Sequence, residues 1–241
     1  MRWTGCLPVA LYDPATQTSP YRIALIHATA LAVDPIAAAF ERHWPAARRM
    51  NLLDDSLSVD RAEAGGLTPA MTRRFVDLAQ YAKGTGCDAI LFTCSAFGPA
   101  IDAAREAVGL PTLKPNEAMF EDALARCPAA GATLGLIATF EASIGSMADE
   151  LRLMAGGRGQ RIELRTVFVP QAMQDLAEGR ADLHHRKIAD AARQLAGCDV
   201  VMLAQFSMAD AQPLVQQQLA CPVLSSPDCA VLAMKKKMAD G

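Results

Sequence analysis

The sequence has few aromatic residues, no long apolar run and little net charge. Aromatic residues make up 5% of the 241 positions, whereas hydrophobic residues make up 51%. This balance is typical of alanine-rich helices that cover strands of valine, isoleucine and leucine. No apolar stretch approaches the roughly 20 residues that a membrane-spanning helix needs. A net charge of −3 argues against nucleic acid or an anionic membrane as a partner.

Cysteine is present, but not in a pattern that binds metal or builds a disulfide framework. The seven cysteines are an odd number, with no C-x-x-C pair and no cysteine–histidine cluster at zinc spacing. We therefore expect free thiols, no metal site and a reducing, cytoplasmic location. The amino terminus lacks a long apolar core and an A-x-A site, so no signal peptide is predicted.

Three motifs that bind nucleotides or activate serine are missing as well. No G-x-G-x-x-G follows a strand pattern, no P-loop occurs, and no G-x-S-x-G elbow is present. The sequence therefore offers no motif for a dinucleotide cofactor, for phosphate binding or for a serine hydrolase.

One pattern of strands and helices occurs twice in the chain. Residues 86–97 and 197–208 have the same shape and start with the same Gly-Cys-Asp, at an offset of 111 (197 − 86). The same offset aligns 23–26 with 134–137, and it aligns Pro111 with Pro222. A register that stays constant over most of the chain indicates an internal duplication, although buried strands can also resemble one another by chance.

We therefore predict an α/β fold of two similar parallel-sheet domains, related by pseudo-twofold symmetry, with the active site in the cleft between them. The first domain is predicted at 21–115, with 222–241 as a segment that could complete it, and the second at 116–221. Residues 1–20 are predicted to be an extended lead-in, because they contain Pro8, Asp13-Pro14 and Ser19-Pro20.

Helices are predicted between the repeated strands, at 70–83, 116–125, 182–195 and 228–238. The polar, glycine-containing segment 54–66 is predicted to be a loop over the rim of the site. His184 and His185 fall in a predicted helix far in sequence from any strand end, so both are predicted at the surface.

The buried strand pattern at 89–92 leads directly to a thiol. Cys94 lies where this strand gives way to a helix, and ligands bind at the carboxyl ends of the strands in open α/β sheets. The backbone N–H groups of Ser95 and Ala96 follow it, and a helix start favours anions and lowers the pKa of a thiol. We predict that Cys94 is catalytic, against the alternative of an inert buried cysteine. Cys87 and Cys198 precede their strands and are predicted to be structural.

Polar residues also follow the first strand of each unit. Thr139 and Ser143 follow the strand at 132–138, where they either hold a substrate carboxylate or cap the next helix. His27 ends the matching strand of the first unit, either as a site residue or as a hydrogen-bonded structural histidine. Cys229 follows Pro227-Asp228 at a predicted helix start, from which it could approach the cleft.

These features together resemble the aspartate/glutamate/hydantoin racemase superfamily, which includes maleate isomerase and arylmalonate decarboxylase. The resemblance rests on two tandem α/β units, on the strand end Thr93-Cys94-Ser95, and on Ile137-Ala138-Thr139, which is similar to the family's carboxylate-binding threonine. It covers about residues 21–238. It implies a cofactor-independent enzyme in which a cysteine from each unit faces one side of the substrate's α-carbon. One thiolate removes a proton, and the other thiol returns it.

The resemblance also assigns roles to individual residues. Cys94 is the acid or base of the first unit, and the groups of Ser95 and Ala96 hold the carboxylate and stabilise the enediolate. Phe206 and Ser207 are the counterparts of that pair in the second unit.

Gln205 departs from the family pattern, because it occupies the position of the second cysteine (94 + 111 = 205). An amide donates and accepts hydrogen bonds but cannot take a proton near neutral pH. We therefore expect Gln205 to orient the substrate rather than carry a proton. Ser207 and Cys229 are the candidates for a replacement acid or base, although an unactivated hydroxyl is a poor base.

Several functions are consistent with these residues. The first is proton transfer at the carbon next to a carboxylate, centred on Cys94, as in an amino-acid racemase. One-cysteine alternatives are decarboxylation of a malonate-type acid and cis–trans isomerisation of a maleate-type acid. A carboxylate-binding protein without catalysis is the alternative from another class. The expected partner is a small carboxylate, and a homodimer is the usual state of such enzymes.

Overall fold

The computed structural model describes residues 21–127 and 130–240, which form two parallel sheets of four strands each. The first has the order β2-β1-β3-β4 and contains β1 (Arg22–His27), β2 (Arg48–Leu53), β3 (Ala89–Phe92) and β4 (Thr112–Leu113). The second has the order β6-β5-β7-β8 and contains β5 (Ala130–Ala138), β6 (Arg161–Phe168), β7 (Val200–Leu203) and β8 (Val223–Ser225). The predicted α/β class with two parallel-sheet units is confirmed. The predicted lead-in, 1–20, lies outside the described residues.

Ten α-helices flank the sheets in the described part of the chain. Those before β5 are α1 (Val33–His43), α2 (Ser56–Ala64), α3 (Pro69–Gly84), α4 (Gly98–Val108) and α5 (Glu117–Arg126). Those after β5 are α6 (Ile144–Gly157), α7 (Ala172–Ala177), α8 (Ala181–Ala192), α9 (Gln212–Gln216) and α10 (Ser226–Ala239). The four helices predicted from the sequence are confirmed as α3, α5, α8 and α10.

The two sheets repeat the same backbone pairing at the offset seen in the sequence. Ile23 pairs with Ala89 in the first sheet, and Leu134 pairs with Val200 in the second (23 + 111 = 134; 89 + 111 = 200). A side-chain contact repeats as well, because Asp88 accepts the N–H of Arg22 and Asp199 accepts that of Thr133. Only β2 and β6 depart from this register. This repetition supports our interpretation of the chain as an internal duplication.

The inner strands of each sheet are buried on both faces, which explains their unbroken apolar runs. Alternate residues of β1 and β3 point to opposite faces, so Ile26 and Phe92 pack under α3 and α4 while Leu25 and Leu91 pack under α1. Parallel sheets are normally covered on both faces in this way.

The helix that follows the last strand of each sheet packs against the other sheet. Helix α5 follows β4 of the first sheet, but its Phe120 and Leu124 lie in the core of the second sheet. Helix α10 follows β8 of the second sheet, and its Val231 and Met234 lie in the core of the first sheet. The helical part of 222–241 therefore covers the first sheet, whereas β8 pairs with β7 in the second. The exact division between domains stays a prediction.

The prediction of a loop at 54–66 is wrong, because this segment contains helix α2. The helix has one fully buried apolar residue, Leu57, and its other residues are polar or lie near the surface. Gly65 ends it with a left-handed φ of 68°, a conformation that suits glycine. A helix held by one apolar residue gives no periodic hydrophobic pattern, so the sequence did not show it.

The prediction that His184 lies at the surface is also wrong. Its side chain is fully buried in α8, and its Nδ1 lies 2.7 Å from the carbonyl oxygen of Ala172. Burial lowers the pKa of His184, although the Ala172 carbonyl opposes this. The imidazole is therefore neutral and joins α8 to the start of α7.

The packing around Gly135 in β5 leaves no room for a side chain. A Cβ there would lie 2.9 Å from Leu195 Cδ1 and 2.9 Å from Val201 Cγ2. We expect Gly135→Ala to lower the free energy of unfolding by about 1–3 kcal/mol through overpacking, measured by urea denaturation. Gly145→Ala in α6 is the control, because no atom lies within 4 Å of its added Cβ. Equal stability of the two variants would contradict the close packing of β5 and β7.

Candidate active site

A cavity lies at the carboxyl ends of the central strands, between the two sheets. Its first-unit lining consists of small, hydroxyl-bearing and apolar residues and the thiol: Thr29, Leu31, Ala32, Ser58, Thr93, Cys94, Ser95 and Pro115. Its second-unit lining consists of Phe140, Met173, Ala204, Gln205, Phe206 and Ser207. The cavity volume is about 90 Å³.

Cys94 and Gln205 face this cavity from equivalent positions. Each follows the inner strand of its sheet by two residues and has an extended backbone, with φ of −119° at Cys94 and −114° at Gln205. Each then starts a tight helical turn, at Ser95–Phe97 and Phe206–Ala211. The equivalence expected from the offset of 111 therefore holds for the backbone as well as for the sequence.

The thiol of Cys94 lies in a poorly solvated position, although the residue as a whole is half-buried. Burial raises the pKa of the Cys94 thiol, while the N–H of Ala96, the positive charge of Arg61 and the hydroxyl of Ser58 lower it. Loss of hydration disfavours a thiolate, whereas N–H donors and a nearby cation favour it. Because burial is the largest of these effects, the thiol keeps its proton at neutral pH.

Two contacts hold the guanidinium of Arg61 against the turn that follows Cys94. Its Nε donates to the carbonyl oxygen of Ala96 at 2.9 Å, and its guanidinium carbon lies 5.7 Å from the centre of the Phe97 ring. A guanidinium above an aromatic face is a favourable arrangement. Helix α2 thus brings a fixed positive charge to the turn that follows the thiol.

We expect the charge of Arg61 to be measurable in the reactivity of Cys94. In Arg61→Met, the midpoint of the pH dependence of Cys94 alkylation by iodoacetamide should rise, because a cation that favours the thiolate is lost. Peptide mass spectrometry would follow Cys94 alone. Arg61→Lys keeps the charge and is the matched control. An unchanged midpoint in Arg61→Met would contradict the electrostatic link.

Hydrogen bonds within the second unit fix the side-chain amide of Gln205. Its Oε1 accepts hydrogen bonds from the N–H of Thr139 at 2.8 Å and from the Thr139 hydroxyl at 3.2 Å. Its Nε2 donates to the hydroxyl of Ser143 at 2.8 Å, and that hydroxyl donates to the carbonyl oxygen of Phe140. One Nε2 hydrogen remains for a ligand, since an amide nitrogen carries two. Gln205 is therefore a preset hydrogen-bond donor.

Thr139 and Ser143 lie behind Gln205 and not on the cavity wall. Thr139 is 5% exposed and Ser143 is fully buried. In this structure their groups hold the glutamine amide, so the carboxylate-binding role that the resemblance implies for Thr139 stays a prediction.

His27 lies beneath the first-unit wall and does not line the cavity. It is fully buried, with Nδ1 2.8 Å from the Thr93 hydroxyl and Nε2 2.9 Å from Asn51 Oδ1. Burial lowers the pKa of His27, and the hydrogen bond to Asn51 opposes this. A neutral imidazole with these partners fixes the side chain of Thr93, which does face the cavity. The contact of His27 with a substrate stays a prediction.

The other predicted site residues divide into two groups. Ser95, Phe206 and Ser207 line the cavity, whereas Ala96 is buried behind Cys94 and contributes its backbone N–H. Cys229 lies in a separate surface depression beside His43 and Asp228. Burial raises the pKa of Cys229 to about 12, so this thiol holds its proton more tightly than an ordinary cysteine.

Sequence reasoning missed Ser58, Arg61, Leu31 and Met173. Ser58 and Arg61 belong to α2, which was predicted to be a loop, so their spacing of one helical turn was not recognised. Leu31 lies in the turn after β1, and Met173 in the short helix α7. A single apolar residue in a connecting segment carries no signal that distinguishes a cavity wall from the core.

Residues 21–127 and 130–240 contain neither a metal-binding cluster nor a membrane-spanning helix. No group of three or more histidine, cysteine or acidic residues there is placed to hold a metal ion. None of the helices described is both long and apolar enough to cross a membrane.

Comparison with known proteins identifies the family. A family model described as Asp/Glu/Hydantoin racemase matches residues 23–234. A comparison with curated proteins gives no match.

Solved structures with similar folds differ in the activities that they are named for. A glutamate racemase from Bacillus anthracis has a TM-score of 0.72 at 13% identity, over 92% of this chain and 82% of that one. Allantoin racemase from Klebsiella pneumoniae has a TM-score of 0.69 at 17% identity, over 92% and 89%. An arylmalonate decarboxylase has a TM-score of 0.56 at 18% identity, over 90% and 91%. At these identities the similarity shows the fold, and the match of the family model over most of the sequence shows that the chain belongs to the Asp/Glu/hydantoin racemase family.

Proposed function

We propose that this chain is a cofactor-independent enzyme in which Cys94 transfers a proton to the carbon next to a carboxylate, on one face of a small acid. The observation that carries the proposal is the asymmetry of the cavity. Cys94 is the only thiol among the described residues that line it, and the equivalent position holds Gln205, whose amide is fixed by Thr139 and Ser143.

This asymmetry favours one-sided proton transfer over racemisation by two thiols. A racemase of the implied kind needs a proton carrier on each face of the α-carbon. Gln205 offers an N–H that orients a ligand but no group that gives up a proton near neutral pH. Ser207 also lines the second-unit wall, but an unactivated hydroxyl is a poor acid or base.

The state of the thiol favours proton donation. Because burial raises the pKa of Cys94, the resting side chain carries the proton that a donor needs. Decarboxylation of a malonate-type acid suits such a donor. The bond between the α-carbon and the leaving carboxylate breaks, carbon dioxide departs, and the electron pair forms the enediolate of the remaining carboxylate. The Cys94 S–H then delivers its proton to the α-carbon, and the thiolate regains a proton from water.

The proposed site also explains how the enediolate is stabilised. Hydroxyl groups of Ser95 and Ser207 and the remaining N–H of Gln205 line the same space as the thiol. Donors placed where negative charge develops are the commonest large contribution to catalysis. We assign these groups to the carboxylate that stays on the product.

Proton NMR in deuterated water tests the proposed function. The purified chain would be incubated with aspartate, glutamate, a hydantoin, maleate and ethyl(methyl)malonate. We expect carbon dioxide release from the malonate, with deuterium at the α-carbon of the product. Loss of optical purity in an amino acid would instead indicate a racemase and a second base. Ligand line broadening without any reaction would favour the carboxylate-binding alternative.

A further inference from the structure

We infer that the substrate of this site carries a carboxylate and a short apolar substituent at the reacting carbon, and no ammonium group. This inference builds on the proposed function, because it takes the cavity at Cys94 as the substrate site. It narrows the substrate class to small non-amino acids.

No described residue that lines the cavity carries a charge. The polar members are hydroxyls, one thiol and one amide, and the apolar members include Leu31, Phe140, Met173 and Phe206. An α-amino acid would place its ammonium group here without a carboxylate to pair with. Burying an unpaired charge is costly, whereas burying a methyl group against apolar side chains is favourable.

The polar groups of the lining are neutral, and several of them already have partners. Gln205 Oε1 accepts two hydrogen bonds from Thr139. The Ser58 hydroxyl lies 2.5 Å from the carbonyl oxygen of Ala28, to which it donates. The Thr93 hydroxyl is paired with His27. An ammonium group has three N–H donors, and the acceptors left for it in this lining are neutral hydroxyl oxygens, such as those of Ser95 and Ser207, and not a carboxylate.

Several charged side chains near the cavity are paired with one another, and the guanidinium of Arg61 lies over the Phe97 ring. Asp54 and Asp60, which flank Ser58 in sequence, both form ion pairs with Arg74. Lys114, next to Pro115, pairs with Asp102 at 2.8 Å and with Glu150 at 3.3 Å. The carboxylates of Asp54 and Asp60 are therefore not free to bind the ammonium group of an amino acid. The ammonium group of Lys114 is likewise not free to bind a second carboxylate of a substrate.

The test compares acids that differ only by a methyl group in place of the ammonium group. The pairs are methylmalonate and aminomalonate, 2-methylbutyrate and 2-aminobutyrate, and methylsuccinate and aspartate. Each acid would be scored by the concentration that halves the rate of Cys94 alkylation by iodoacetamide, followed by peptide mass spectrometry. We expect the methyl member to protect at concentrations at least about tenfold lower than its amino partner. Equal or better protection by the amino members would overturn the inference.

A substitution in the cavity wall tests the physical reason. Met173→Glu places a carboxylate in the lining, and Met173→Gln places a neutral group of the same shape. 2-Aminobutyrate should protect Cys94 in the glutamate variant at a concentration about tenfold lower than in the glutamine variant, because its ammonium group then has a partner. No gain would overturn the explanation by missing charge.

The outcomes separate this inference from the proposed function. If the methyl acids protect Cys94 but no acid reacts, the substrate class stands and the proposed function fails. If amino acids exchange their α-proton in deuterated water, the proposed proton transfer stands and the substrate class is overturned. If no acid of either kind protects Cys94, the cavity is not a carboxylate site and both are overturned.

Discussion

Replacing Cys94 by alanine is expected to slow the formation of 2-methylbutyrate from ethyl(methyl)malonate by at least about a hundredfold. A positioned acid contributes roughly a hundredfold to ten-thousandfold to such a step, and no other thiol lines the described part of the cavity. Product formation would be followed by proton NMR. Folding would be checked by the urea midpoint, since the half-buried Cys94 side chain contributes less to the core than Ile90 or Phe92.

Two other thiols provide matched controls for this experiment. Cys221 and Cys229 are half-buried like Cys94, but neither lines the cavity. Cys221→Ala and Cys229→Ala should keep the wild-type rate. A comparable loss of rate in Cys229→Ala would show that the proton donor lies in the separate surface depression that contains Cys229. That result would contradict the assignment to Cys94.

Replacing Gln205 by cysteine is expected to make the product nearly racemic, whereas the wild type gives one enantiomer of 2-methylbutyrate. Gln205 and Cys94 have equivalent backbone positions on opposite units, so the new thiol faces the α-carbon from the other side. A thiol is a competent proton donor there, and the amide is not. Chiral chromatography of the product would measure the change.

Gln205→Ser is the control for loss of the amide. It removes the hydrogen bonds to Thr139 and Ser143 without adding a thiol. We expect it to lower the rate but to keep the enantiomeric purity, because the hydroxyl does not deliver a proton to the second face. A single enantiomer from Gln205→Cys would show that proton delivery does not depend on the residue at this position.

Much of the fold could be predicted because the chain repeats one unit. The apolar runs at Ile23–Ile26 and Ala89–Phe92 recur 111 residues later, and the sheet pairings recur at the same offset. The equivalence of Cys94 and Gln205 followed from that register. Strands buried on both faces give the strongest sequence signal, since every residue in them is apolar.

The remaining features depend on contacts that the sequence does not encode locally. Helix α2 was missed because Leu57 is its only buried residue. His184 was misplaced because a carbonyl oxygen, which every residue has, pairs with Nδ1 of its buried imidazole.

The hydrogen bonds around Gln205 were also beyond sequence reasoning. Thr139 and Ser143 were expected to bind either a carboxylate or a helix end, and they bind the glutamine amide. Which partner these two residues bind depends on the rotamers of side chains that meet at the ends of two strands. The glutamine at position 205 thus appears in the sequence, while the partners that hold its amide appear only in the structure.

The configuration of the product formed by the wild-type chain in deuterated water tests the central claim most directly. Ethyl(methyl)malonate would be converted, and the 2-methylbutyrate would be analysed for enantiomeric excess and for deuterium at the α-carbon. Proton delivery by Cys94 from one face predicts a single enantiomer with one α-deuterium, and no such product from Cys94→Ala. A racemic product, or the same enantiomer formed equally fast by Cys94→Ala, would contradict the account.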